Sequence, residues 1–386
     1  MRETDHISSP MLHAVRLALQ AQGQTAPNPC VGAVLTKGGL IAATGWHKGP
    51  GLPHAEIEAL EEARGKGWDL TELTLWVTLE PCNHQGRTPP CTQAILEAGI
   101  PRVIIGTLDP NPGVAGGGAQ RLQRHGVHVT VGEQEQACLD LLSDFKAWTL
   151  EHRPLIQLKL ASTLDGRIAT RTGHSSWVTG ERARQRVQAM RARAQAVLIG
   201  GQTLVADNPR LTNRSGQGGE QPWAVVVTTH LPHPKASLFL LQNRASQLVF
   251  LTSREQAATE AARALRDLGT RIWGLPEDGH GRLNLRAGLQ RVYRDLGCTT
   301  LLCEGGGRLA MGLIQADLVD EFHLVLAPRV LGDEHAVSVL SGRMAMSMEE
   351  AVDWRLVSSE PIGADLWLIY RRPYVKATAD AAPQSS

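Results

Sequence analysis

The chain has 386 residues with 42% hydrophobic content, enough for two domains with full cores at roughly 100–200 residues each. Its net charge of +1, with nine Trp but only three Tyr and four Phe, argues against a basic, aromatic-lined nucleic-acid groove. The start, Met1 to His6, has no apolar core for a signal peptide, and no stretch is apolar enough to span a membrane, so the six cysteines are expected to be reduced and the setting cytoplasmic.

In chain order, residues 11–22 carry apolar side chains at helical spacing, and Gly23 ends the run. Pro27-Asn28-Pro29 turns into a strand through Val31–Leu35, and Gly38-Gly39 predicts a tight hairpin to Leu40–Thr44. A helix follows at 54–65, then a strand at 73–79 that delivers Glu80-Pro81-Cys82. Next come a helix at 89–98, strand 102–106, helix 116–125, strand 127–131 and a closing helix at 133–150. This alternation predicts an α/β domain over residues 1–150 with a largely parallel buried sheet.

Glu151-His152-Arg153-Pro154 breaks that helix and reads as a linker to a second domain, 154–374. Strands are predicted at 155–161, 196–199, 223–228, 247–251, 270–274 and 299–303, with helices at 180–193, 254–267 and 284–294. The arginines of helix 180–193 read as a solvated basic face, and Gly-rich 213–222 as a mobile loop. Gly305-Gly306-Gly307, between a buried strand and a helix, would let the backbone approach a phosphate at the helix N-terminus; a plain glycine turn is the blander alternative. Residues 375–386 read as a disordered tail.

The chemistry concentrates in His54-Ala55-Glu56 and in Pro81-Cys82 through Cys91. One imidazole and two thiols are three ligands, the number a catalytic zinc needs if its fourth position stays open for water. Glu56, two residues past His54, is placed to take a proton from that water and pass it to a leaving amine. The zinc-deaminase signature has two residues between its cysteines, whereas eight lie between Cys82 and Cys91. A closed structural site would need His84 as fourth ligand and would leave Glu56 unexplained. Cys91 near a helix start should favour a thiolate. Asn28 between two prolines reads equally well as a plain turn residue, His47 reads from spacing alone as a surface or core-capping histidine, Asp109-Pro110-Asn111-Pro112 as loop geometry, and Arg87 as a charge balance or a phosphate grip.

Further runs extend the pattern: Pro27-Asn28-Pro29-x-Val31-Gly32, Gly45-Trp46-His47, Thr78-Leu79-Glu80-Pro81-Cys82-Asn83-His84-x-Gly86-Arg87-Thr88-Pro89-Pro90-Cys91 and Asp109-Pro110-Asn111-Pro112. Lys159-Leu160-x-x-Thr163-Leu164-Asp165-Gly166, Ser175-Ser176-Trp177-Val178-Thr179, Gly200-Gly201-x-Thr203-Leu204-x-x-Asp207 and Glu304-Gly305-Gly306 continue it. Together they resemble the bifunctional riboflavin-biosynthesis deaminase–reductases over nearly the whole chain. The resemblance implies a cytidine-deaminase-like domain followed by a dihydrofolate-reductase-like domain, with Zn2+ and NADPH as cofactors. It implies deamination of 2,5-diamino-6-(5-phosphoribosylamino)pyrimidin-4-one and then reduction of the ribosyl group to ribityl. By motif position, Asn28, His47, His84, Arg87, Asp109 and Asn111 would shape the pyrimidine and ribose-phosphate pocket. Ala161, Trp177, Thr203, Asp207, Gly306, Gly307, Arg308 and Leu309 would line the dinucleotide. Lys159, Ser175, Arg191, Leu211, Arg214 and Glu304 would face the second substrate. The chain departs from the family after strand 224–227, where Thr228-Thr229 replaces a frequent Asp-Ser at the adenosine end of the cofactor. Such folds imply a homo-oligomer acting on small phosphoribosyl pyrimidines, with no nucleic-acid or membrane partner. The rival readings are a nucleic-acid deaminase and a deaminase whose C-terminal half only binds a ligand.

Overall fold

The computed structural model describes residues 9–22, 25–84, 89–110, 117–175, 178–214, 220–278 and 281–373, which fall into two units, Met1–His152 and Arg153–Ser386. The predicted tail and the residues at 215–219 of the predicted loop lie outside the described residues.

In unit 1, Ser9 opens α1 (Pro10–Leu19) by accepting the Leu12 N–H on its hydroxyl. The strands are β1 (Gly32–Lys37), β2 (Leu40–Trp46), β3 (Thr74–Leu79), β4 (Arg102–Thr107) and β5 (His128–Val131). The helices that follow α1 are α2 (Ala55–Gly65), α3 (Cys91–Glu97), α4 (Gly118–Arg124), α5 (Glu135–Asp140) and the short α6 (Ser143–Phe145). Sheet order is β2-β1-β3-β4-β5. β3, β4 and β5 are parallel, but β1 runs antiparallel to both neighbours, so the sheet is mixed rather than largely parallel. The Gly38-Gly39 hairpin, with φ of 56° and 85°, is what reverses it. Alternate strand residues separate two cores. Ala33, Leu35, Leu75, Val77, Val103 and Ile105 pack against α2 and α3, while Val34 meets α1, Cys138 and Leu141. Each fully buried Leu or Ile contributes roughly 1.5–3 kcal/mol. The helix predicted over 133–150 is broken, because the Ser143 hydroxyl donates to Asp140 O (2.6 Å) and Asp144 accepts the Phe145 N–H (2.7 Å), competing with the helical ladder.

Unit 2 holds β6 (Leu155–Thr163), β7 (Arg167–Ala169), β8 (Ala196–Gly200), β9 (Trp223–Val227), β10 (Leu248–Ser253), β11 (Arg271–Leu275), β12 (Thr300–Cys303), β13 (Glu321–Ala327), β14 (Val337–Ser338), β15 (Arg355–Ile362) and β16 (Asp365–Arg371). Its helices are α7 (Glu181–Arg193), α8 (Gly201–Asp207), α9 (Phe239–Asn243), α10 (Arg254–Ala257), α11 (Glu260–Asp267), α12 (Leu285–Leu296) and α13 (Gly307–Gln315). Nine strands form one sheet in the order β11-β10-β9-β8-β12-β6-β13-β16-β15, parallel except at β16 and β15. Both faces are covered, α12 and α13 lying on one side and α9 and α11 on the other, as the unbroken apolar runs of β8, β9 and β10 require. The helix predicted at 254–267 divides where the Thr259 hydroxyl caps α11 by accepting the Ala262 N–H (3.2 Å).

The last strands, which the sequence pattern leaves unassigned, carry a buried polar cluster. Glu321 accepts from Arg371 Nε (3.1 Å), from Gln157 (2.9 Å) and from His323 Nε2 (3.2 Å). The Trp367 indole N–H donates to His323 Nδ1 (3.2 Å), which leaves the proton on Nε2. Burial pushes the Glu321 pKa up, but Arg371 and His323 outweigh it and hold the carboxyl well below its usual range. A depressed folded pKa adds stability that is present above the unfolded value, roughly 4.3, and fades as pH falls towards the folded one. Glu321→Gln removes the charge that faces buried Arg371 and is expected to destabilise the fold by roughly 3–5 kcal/mol in urea unfolding at pH 7. The gap to the parent protein should narrow below about pH 4.

Candidate functional sites

Strand direction assembles the unit 1 site. β1 enters at the sheet edge where β2, β3 and β4 leave, so Asn28, His47, Glu80 and Asp109 all arrive at one rim. Gly45 admits α2 to that rim, since a Cβ there would lie 2.3 Å from Ala55 O. His54 is the N-cap of α2, yet its side chain makes no cap hydrogen bond. Its Nδ1 lies instead 3.2 Å from Cys91 Sγ and 3.6 Å from Cys82 Sγ. The three ligand atoms all lie within 4.8 Å of one another.

Cys91 opens α3, and its backbone N–H donates to Cys82 Sγ (3.2 Å). The helix start therefore favours charge on Cys82, not on Cys91 as sequence position suggests. A hydrogen bond from Cys91 is the main cause that draws the Cys82 pKa down to about 4, and the same bond together with burial pushes Cys91 up. Glu56, 3% exposed, faces the same cleft; burial and then the Cys82 charge raise its pKa to about 7. One nitrogen and two sulfurs suit tetrahedral zinc with a position left open. His84 lines the cleft but falls outside the ligand group, so among the described residues no fourth side chain closes the site.

The cleft, about 590 Å³, brings together Asn28, His47, His54, Glu56, Cys82, His84 and Asp109. His47 Nδ1 faces Pro53 O (3.0 Å), which can only accept, so Nδ1 holds the proton and Nε2 accepts from the Asn28 amide (3.2 Å). That bond sets the orientation of the Asn28 amide. Burial and the nearby His54 lower the His47 pKa, consistent with a neutral ring. Arg87 and Asn111 lie outside the described residues. Sequence reading did not anticipate Leu52, Phe145 and Thr149 in the cleft wall; nothing in their local pattern points to this rim.

In unit 2 a cleft of about 370 Å³ opens where β8 and β12 end. It is lined by Lys159, Ala161, Ser175, Arg191, Thr203, Asp207, Arg214, Glu304 and Gly306. Arg191 grips Glu304 through Nε–Oε1 (2.5 Å) and Nη2–Oε2 (2.7 Å), and the Ser175 hydroxyl donates to Asp207 (3.1 Å). Burial lowers the Lys159 pKa against the pull of Glu304. Leu211 does not reach this cleft: it is 2% exposed in the core beside Leu204, and its carbonyl accepts from Arg244 (2.8 Å). Gly307, Arg308 and Leu309 form the first turn of α13 outside the lining, and Trp177 lies outside the described residues. Arg184, Val187 and Gln188 also line it. Their spacing with Arg191 marks one helix face, a signal obscured by reading α7 only as a basic surface.

The cleft suits an anionic dinucleotide. It holds several cations, and a Cβ at Gly306 would meet only Thr203 Oγ1, at 3.5 Å, so this backbone stands open beside an α13 N-terminus without a side-chain cap. At the adenosine-end departure, Thr228 packs against Gly201, and its hydroxyl donates to His230 O (2.7 Å).

A family model of the cytidine and deoxycytidylate deaminase zinc-binding region matches residues 5–107, and one of the RibD C-terminal domain matches residues 154–368. The chain is 40% identical over 360 residues to riboflavin biosynthesis protein RibD of Synechocystis sp., covering 93% of this chain and 94% of that protein. It is 37% identical over 359 residues to RibD of Aquifex aeolicus, covering 93% and 96%. The chain belongs to the RibD family. A solved Thermotoga maritima structure, a diaminohydroxyphosphoribosylaminopyrimidine deaminase/5-amino-6-(5-phosphoribosylamino)uracil reductase, superposes with TM-score 0.69 at 33% identity, over 94% of this chain and 98% of that one. The chain is therefore a bifunctional enzyme of riboflavin biosynthesis, with a zinc-binding deaminase domain and an NADPH-dependent reductase domain. Among the described residues, no helix is long and apolar enough to cross a membrane.

His54→Ala, Cys82→Ser and Cys91→Ser should each lower tightly bound zinc, measured by atomic absorption after dialysis, from about one per chain to a small fraction. His84→Ala should leave the zinc content unchanged.

Proposed function

We propose that unit 1 deaminates 2,5-diamino-6-(5-phosphoribosylamino)pyrimidin-4-one and that unit 2 reduces the ribosyl group of the product to ribityl. The observation that carries this reading is the convergence of His54, Cys82 and Cys91 around buried Glu56 in a cleft large enough for a nucleotide-sized ligand. His54, Cys82 and Cys91 would hold zinc, which would supply a Lewis acid for activating water near neutral pH. Glu56 takes the proton released as water attacks the amine-bearing carbon and returns it to the leaving ammonia. Asn28, its amide oriented by neutral His47, holds the pyrimidine edge together with Asp109. We assign His84, Arg87 and Asn111 to the same ligand from their motif positions.

In unit 2, a bound NADPH would supply the hydride. Thr203, Asp207, Ala161 and the Gly306 backbone hold the dinucleotide, with Trp177, Gly307, Arg308 and Leu309 assigned to it by motif. Lys159, Arg191 and Arg214 supply the positive charge that a ribose phosphate requires, while Glu304 fixes the Arg191 fork. Ser175 completes that wall. The reaction then depends chiefly on holding C1′ against the nicotinamide. We place the enzyme in the cytoplasm, where a reducing setting keeps Cys82 and Cys91 available as ligands.

Glu56→Gln should keep its zinc while ammonia release falls roughly 10³-fold or more. NADPH oxidation with the deaminated substrate, followed at 340 nm, should be unaffected. Conversely, a Val side chain at residue 306 would project into the second cleft, so Gly306→Val should abolish NADPH oxidation while ammonia release persists. Unimpaired ammonia release by Glu56→Gln would remove that residue from the proposed role.

A further inference from the structure

We infer that Glu80 is a positioning residue of the deaminase site: one carboxylate holds both ends of the segment that presents Asp109 to the cleft. The inference rests on the proposed function and adds a residue to it. Glu80 follows β3 directly and is 8% exposed. Its own N–H donates to Thr107 O (2.9 Å), so its backbone is tied to the end of β4. Its side chain then divides its two oxygens. Oε2 accepts the Asp109 N–H (3.3 Å), and Oε1 accepts the Ala119 N–H (3.0 Å), ten residues further on.

The Ala119 donor needs an outside partner. Ala119 is the second residue of α4, where backbone N–H groups have no acceptor within the helix. The N-cap, Gly117, has no side chain to supply one. The Glu80 carboxylate takes the place of a cap and at the same time ties the cap to Asp109. Gly118 makes the approach possible, because a Cβ there would lie 2.1 Å from Pro81 O and 3.1 Å from Glu80 Cγ. Asn83 adds a second tie from the same loop to α4, its Oδ1 accepting from Arg121 (3.0 Å). The residues flanking the first Cys ligand thus anchor the segment bearing Asp109. Substrate affinity should depend on Glu80, while zinc retention and proton transfer should not.

The test uses the full-length protein with Glu80→Asp, which keeps the charge but is one methylene too short to span both donors, and the isosteric Glu80→Gln. In Glu80→Asp, amide hydrogen exchange at Asp109 and Ala119, measured without ligand, should speed up roughly tenfold or more. The KM for deamination should rise roughly tenfold with kcat within about threefold, and Glu80→Gln should fall between Glu80→Asp and the parent. Zinc content and NADPH oxidation with the deaminated substrate should match the parent. Unchanged exchange at both amides overturns the inference, even if KM rises, because Glu80 would then be a ligand contact. Loss of zinc, or a fall in kcat at constant KM, overturns it too. If the parent protein releases no ammonia, the proposed function fails, while the exchange measurement still decides the role of Glu80.

Discussion

Everything in the first unit depends on one meeting: two sulfurs and one ring nitrogen, from residues 54, 82 and 91, lie within 4.8 Å of one another. No local rule brings them there. β1 pairs antiparallel with β3, so its start shares a rim with the ends of β3 and β4, and the reversal at Gly38-Gly39 returns β2 to the same rim. Gly45 lets α2 come close enough for its N-cap residue to face the sulfurs. The α3 N-terminus then directs a backbone N–H at Cys82. Electrostatics follows from this packing, since the burial that excludes water also raises Glu56 to about 7.

The second unit solves a different problem with the same means. Its ligand chemistry is anionic, so the cleft gathers Lys159, Arg191 and Arg214, with Glu304 as a fixed counter-charge. Burying such groups costs free energy unless they are paired. The bidentate Arg191–Glu304 contact meets that demand inside the cleft, and Glu321 with Arg371 meets it within the sheet. The C-terminal β13 and β16 thus have an electrostatic task besides closing the sheet.

Legibility differed with the kind of residue. His54, Glu56, Cys82 and Cys91 could be read because a His-x-Glu run followed by Pro-Cys and a second Cys suits an open zinc site and little else. Asn28, His47 and Asp109 could have been turn or capping residues, and only the family resemblance raised them. Helix starts were legible in places, as at α12, predicted from 284 and found from Leu285. Helix boundaries failed at 141–142 and 258–259, where Ser143, Asp144 and Thr259 redirect backbone hydrogen bonds through their side chains. Leu211 shows the limit of motif transfer, since its position matches the family while its side chain packs in the core.

The sequence by itself singled out the candidate ligands and the candidate proton carrier and marked the two α/β domains and the glycine turns, because each rests on residue type and short-range spacing. Only the tertiary structure decided which sulfur receives the helix N–H, which tautomer His47 holds, and that Glu80 ties Asp109 to α4. Those are contacts between residues from 6 to 39 positions apart, and a hydrogen bond of that kind is set by the direction in which two elements meet, which no local pattern encodes.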